Sequence, residues 1–151
     1  MNLGEALSLL KKEKSRLARL ISLRKENTYL EKGKKNEFDL DELSKDIEEK
    51  IGNIRLLKIS IQKTNLNTKI MNEKISLAEA IIKVGDLRSK IAELSRLFER
   101  KRDSWYYDKD KKEMIAQLDE SEIEDEIEKL EIEKTKLDNM IQMTNWNTKI
   151  E

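Results

Sequence analysis

The sequence predicts an all-α protein, an internally duplicated four-helix fold of two antiparallel helical hairpins related by a pseudo-twofold, with short strands at one end. Three observations carry this. Charged residues make up 41% of the chain and hydrophobic residues 37%, with no proline, a composition of long helices or coiled coil. Apolar residues recur close to every 3.6 residues along four long stretches. One short stretch occurs twice: Thr64-Asn65-Leu66-Asn67-Thr68-Lys69-Ile70 and Thr144-Asn145-Trp146-Asn147-Thr148-Lys149-Ile150 differ at one position. Each copy closes one repeat, so we read a single domain over 1–151, with repeat one at 1–70 and repeat two at 75–150. The duplication organises the fold without naming a biochemical activity.

The first helix is expected at about 2–27. Asn2 followed by Glu5 is a plausible N-cap with its reciprocal carboxylate. Leu3, Ala6, Leu10, Leu17 and Leu20 keep heptad-like spacing, with Glu13 interrupting the row. Leu7, Leu9, Ile21 and Leu23 widen the apolar surface, which suits a helix with more than one neighbour. Residues 28–38 break the period, and Gly33 among Lys32, Lys34 and Lys35 reads as a solvated loop. The second helix, about 39–66, starts at a cap on Asp39 or Asp41. Leu43, Ile47, Ile51, Ile54, Leu57 and Ile61 form its seam. Two long helices around a short loop fold back as an antiparallel hairpin.

The Thr/Asn signature then ends the helix. Asn65 or Asn67 can take the left-handed conformation of a helix terminus, and Thr and Asn side chains can bond the last carbonyls. Thr68-Lys69-Ile70 and Ile75-Ser76-Leu77 read as two very short strands around a four-residue turn. Ser76 with Glu79 is a full capping box for helix three, about 76–104. Its row is the cleanest in the chain: Leu77, Ala80, Val84, Leu87, Ile91, Leu94 and Phe98. A tip loop follows, with Trp105, Tyr106 and Tyr107, and helix four spans about 119–146 with Ile123, Ile127, Leu130, Leu137 and Ile141 inside. The same duplication predicts that the C-terminal Thr148–Ile150 pairs antiparallel with Met1–Leu3, repeating the central ribbon without its turn.

Charges divide by helix. Helix one carries seven bases (Lys11, Lys12, Lys14, Arg16, Arg19, Arg24, Lys25) against Glu5, Glu13 and Glu26. Helix four carries ten acids against Lys129, Lys134 and Lys136. Basic odd helices beside acidic even ones select pairing more than they stabilise, since an exposed pair is worth under about 1 kcal/mol. Gly52 and Gly85 fall inside helices, and we read them as places where helices cross closely.

Composition removes several function classes. Histidine and cysteine are both absent, so a Ser-His-Asp triad, a Cys-His pair, a His/Cys zinc site and any disulfide cannot be built. Net charge is zero, so nothing global favours nucleic acid or an anionic membrane. The chain opens directly into an amphipathic pattern with no signal-like apolar core. No stretch approaches the roughly 18 apolar residues of a membrane span, and cytoplasm is the expected location.

The signatures, the start Asn2-Leu3-Gly4-Glu5-Ala6-Leu7, the early Asn27 and Gly33, and the ending Ile141-Gln142 with Asn145-Trp146 resemble a family of small bacterial all-helical proteins labelled septicolysin, whose function is not established. The resemblance covers nearly the whole chain. Members carry an acid directly before the loop glycine, whereas Lys32 stands there here. The label implies a secreted, membrane-active lysin, an activity to which the composition lends nothing.

The candidate site residues are Thr64, Asn65, Asn67 and Thr68 with Thr144, Asn145, Trp146, Asn147 and Thr148. Two such sets could form a ligand site on one face; helix termination and hairpin capping is the reading we adopt. Trp105, Tyr106 and Tyr107 beside Arg100, Lys101 and Arg102 could stack bases, but a loop packed over the bundle or a subunit contact is the reading we adopt. We expect no catalytic residue, no cofactor and no metal. The function expected is a non-catalytic helical scaffold or protein-interaction module, a homo-oligomer with a dimer favoured, and no nucleic-acid or membrane partner. The alternative is an enzyme or metal-binding bundle built on carboxylates and tyrosines; the third is the lysis implied by the family label.

Overall fold

The computed structural model describes residues 1–70, 72, 74–99 and 114–150. These form four long helices and one two-stranded ribbon, an all-α architecture in the order α1 (Leu3–Glu26), α2 (Leu40–Asn67), β1 (Lys69–Ile70), β2 (Ile75–Ser76), α3 (Leu77–Ser95) and α4 (Glu120–Asn147). The chain divides into two compact units, Met1–Thr68 with Met143–Glu151, and Lys69–Gln142. The first unit thus takes in the tail of the second repeat. No helix among the described residues is long and apolar enough to cross a membrane.

In the first unit, α1 starts on a complete capping box. The Glu5 amide donates to Asn2 Oδ1 and the Asn2 amide donates to Glu5 Oε2, both at 2.8 Å. Asn27 closes the helix by donating from Nδ2 to the Leu23 carbonyl at 2.8 Å. Gly33 takes the positive φ of +92° that the loop requires, a conformation costly for any residue with a β-carbon. Asp39 caps α2 by accepting from the amides of Asp41 and Glu42. The two helices run antiparallel: Lys50 Nζ donates to Glu13 Oε2 at 2.7 Å and Arg24 to the Ser44 hydroxyl at 3.3 Å. Leu3, Ala6, Leu43, Ile47, Ile54 and Ile61 are buried. The cross-helix charge pair here has its acid on α1 and its base on α2, opposite to the division by helix expected from net charge.

In the second unit, Lys69 pairs with Ser76 and Ile70 with Ile75 in an antiparallel ribbon. Asn72, in the turn, has φ of 56°; its short polar side chain tolerates the left-handed region. Ser76 caps α3 reciprocally with Glu79, at 2.6 and 3.1 Å. Lys83 bridges to Glu133 at 2.9 Å and Lys90 to Glu126 at 3.0 Å. As one partner climbs seven residues the other descends seven, so α3 and α4 are antiparallel. Leu77, Ala80, Val84 and Leu87 of α3 are buried, as are Leu137 and Ile141 of α4.

Three expectations change. Helix three was expected to about 104 and ends at Ser95. Arg96, Leu97 and Glu99 donate to carbonyls three residues back, so the last regular turn tightens into consecutive turns. Neither Asn65 nor Asn67 is left-handed. The helix runs through Asn67 and stops at an extended Thr68, φ −78° and ψ 129°, because the chain must enter β1 at the next residue. Gly52 and Gly85 do not mark close crossings: a β-carbon at either would meet nothing within 4 Å, since both lie off the buried seams.

Candidate functional site

The two Thr/Asn signatures end α2 and α4 in the same way. The Thr68 amide donates to the Thr64 carbonyl, and the Thr148 amide to the Thr144 carbonyl, each at 2.9 Å. Both bonds carry the α-helical ladder one residue past the last helical position, which satisfies a carbonyl otherwise left open. Thr64 is 2% exposed and donates from its hydroxyl to the Ser60 carbonyl at 3.0 Å. Asn147 donates from Nδ2 to the Met143 carbonyl at 2.9 Å. Thr and Asn are useful here because their short side chains reach the backbone one turn back.

The second signature continues into the chain's own start. The Leu3 amide donates to the Thr148 carbonyl at 2.8 Å, and the Ile150 amide donates to the Met1 carbonyl at 3.2 Å. Asn2 and Lys149 form an antiparallel bridge. The register matches that of the internal ribbon: Lys149 stands to Asn2 as Lys69 stands to Ser76. The expected closure of the chain ends is present.

Trp146 supplies the packing at this closure. A β-carbon at Gly4 would lie 2.9 Å from Trp146 Cδ2 and 3.0 Å from Cε3, so the indole covers the bare backbone of the first turn of α1. Trp146 stays 56% exposed, whereas the neighbouring Asn145 is 6% exposed. The Asn145 Oδ1 atom is buried and has no hydrogen-bond partner among the described residues. Gly4 is the residue that sequence reasoning missed. A signal was present: the other repeat carries Ala78 in place of Gly4 and Leu66 in place of Trp146, a larger neighbour facing a smaller one.

Two carboxyls have displaced acidities, both for structural reasons. The hydrogen bond from Lys50 holds the Glu13 carboxyl below its usual range, against partial desolvation and with help from Arg16. Hydrogen bonds from the Ser76 backbone and hydroxyl hold Glu79 below its usual range. A hollow of about 220 Å³ between α3 and α4 is lined by Arg88, Ile91, Glu131, Lys134 and Thr135; it is shallow, and its lysine already bonds Asp138 at 3.1 Å. Among the described residues, no group of three or more acids, histidines or cysteines could hold a metal ion. Trp105, Tyr106 and Tyr107 lie outside the described residues.

The helical faces away from the core carry large apolar side chains. Leu56, Ile59, Ile82 and Ile132 are all exposed, and each lies on the side of its helix away from the buried seam.

A family model described as "Family of unknown function (DUF6847)" matches residues 11–150. The chain is also similar to a solved protein described as a functionally unknown conserved protein from Corynebacterium diphtheriae. The two are 25% identical, the match covers 100% of this chain and 99% of that one, and the TM-score is 0.86. No curated protein matches.

Proposed function

The chain belongs to DUF6847, a family of unknown function, and on that premise we propose that it is a non-catalytic helical scaffold that works by protein association, first of all with its own copies. The observation that carries this is the outward row of apolar side chains on helices whose inner seams are already filled. Exposed singly, such residues need no explanation; repeated along one face of a helix, they suit a partner helix. A dimer through helical faces follows, held in the cytoplasm, where a chain without cysteine loses nothing to a reducing environment. The resemblance to the septicolysin-labelled proteins would add membrane lysis. Helices with charge spread through their exposed faces lend that activity no support.

The test is the mass of the purified full chain by light scattering. A dimer or higher oligomer at tens of micromolar is the expected result; a monomer there overturns the reading.

A further inference from the structure

Helix α2 has two seams on opposite faces. Leu43, Ile47, Ile54 and Ile61 are buried. Half a turn away, Gly52, Leu56, Ile59, Lys63 and Leu66 follow one another at spacings of four, three, four and three, the period of a coiled-coil seam. Leu56 is 68% exposed, Ile59 44% and Leu66 62%. Nothing lies within 4 Å of where a Gly52 side chain would begin. A glycine in the middle of a long helix weakens it, and among the described residues no contact uses the space it leaves.

The charge of α2 is polarised about the same point. Residues 41–49 hold five acids and one lysine, whereas residues 50–67 hold four bases and no acid. Lys50 is engaged by Glu13. Glu48, Glu49 and Lys63 on the outer face have no ion pair among the described residues.

We propose that the outer seam of α2 is the self-association surface, pairing antiparallel with α2 of a second copy about a twofold axis between Leu56 and Ile59. This deepens the scaffold reading and rests on it. Antiparallel pairing brings the acidic half of each helix against the basic half of the other, whereas parallel pairing would set like against like. In this register Leu56 faces Ile59 of the second copy, and the reverse, giving a four-residue apolar centre. Lys63 comes over Gly52 of the second copy, where the missing side chain leaves room for a lysine stem. Its ammonium then reaches Glu48 and Glu49, one turn away. The contact is isologous, so it closes at two copies.

Charge-swapped variants of the full chain test the surface, with helicity by circular dichroism as the folding control. Lys63→Glu alone, and Glu48→Lys with Glu49→Lys, should each convert the dimer to monomer at tens of micromolar without loss of helix. All three positions are exposed. Mixed in equal amounts, the two variants should recover the dimer mass, because each then offers the charge the other lacks. The chain has no cysteine, so a single cysteine for spin labelling can be placed at exposed Asp46, outside both the apolar seam and the Lys63 charge pairs. Antiparallel pairing sets the two labelled positions about 35 Å apart along the helix axes, given a rise of about 1.5 Å per residue. Parallel pairing in register would leave only the interaxial spacing of about 10 Å. A wild-type oligomer that survives both charge variants, variants that fail to recover on mixing, or the short label distance overturns this surface and leaves the scaffold reading standing. A wild-type monomer overturns both.

Discussion

Gly4 shows how the meaning of a residue can depend on one far along the chain. In an open helix, replacing glycine with alanine gains about 1 kcal/mol. At Gly4 the added carbon would press on the Trp146 indole at 2.9 Å, and overpacking of this kind costs roughly 1–3 kcal/mol. We expect Gly4→Ala to destabilise the protein and Gly85→Ala, where nothing lies within 4 Å, to stabilise it by up to about 1 kcal/mol. Urea unfolding of both variants beside the parent measures the opposite signs. The sequence displayed all four glycines, and the two inside long helical stretches drew the crossing interpretation. The close approach is instead at the helix start, because only there does an aromatic side chain arrive from the C-terminal signature.

Within a hairpin, the two repeats solve one packing position differently. Glu13 and Lys50 join α1 to α2 by a half-buried ion pair at 2.7 Å. The equivalent residues in the other repeat are Leu87 and Leu130. Breaking a partly buried pair strands a charge, whereas replacing both partners with apolar groups is often neutral or stabilising. Glu13→Leu alone should lower the melting temperature, and Glu13→Leu with Lys50→Leu should restore it or raise it. The pair also has a pH signature. Its carboxyl is held below the usual range in the folded state, so its contribution is complete above the unfolded glutamate pKa near 4.3 and is lost as pH falls through the lower folded value. On acidification through that window the parent should lose melting temperature relative to the double variant. The interruption at Glu13 was visible in the sequence. Its partner was not, because Lys50 lies among acids and reads as a solvated charge. The end of α3 was likewise hidden: the apolar period runs on to Phe98, but hydrogen bonding, not period, decides where a helix stops.

At the scale of the whole chain, duplication made the fold legible. Helix order, both reciprocal caps, the internal ribbon and the closure of the ends all follow from aligning one repeat on the other. The division into units was less visible, because it depends on the tail of repeat two joining the start of repeat one. Deleting residues 147–151 removes the carbonyl that the Leu3 amide uses and the amide that Met1 uses. Hydrogen exchange at Leu3 to Leu7 should then speed up; unchanged protection would mean that the terminal pairing does not hold the helix start. The outer apolar seam was legible only as leftover apolar residues. A sequence shows that a seam is surplus, but the structure is needed to show that Leu56, Ile59 and Leu66 face away from the core with open space at Gly52.

The internal ribbon and the pairing of the chain ends share a property of connectivity. Each joins the tail of one repeat to the head of the other: Lys69 of the first to Ser76 of the second, and Lys149 of the second to Asn2 of the first. A chain of half this length would carry one head and one tail, and could satisfy this pattern only by exchanging ends with another molecule, a second-order event. The link from Ile70 to Ile75 makes the first exchange local, and covalent continuity confines the second within one molecule. What would be an assembly step for the half-length chain becomes a step of folding.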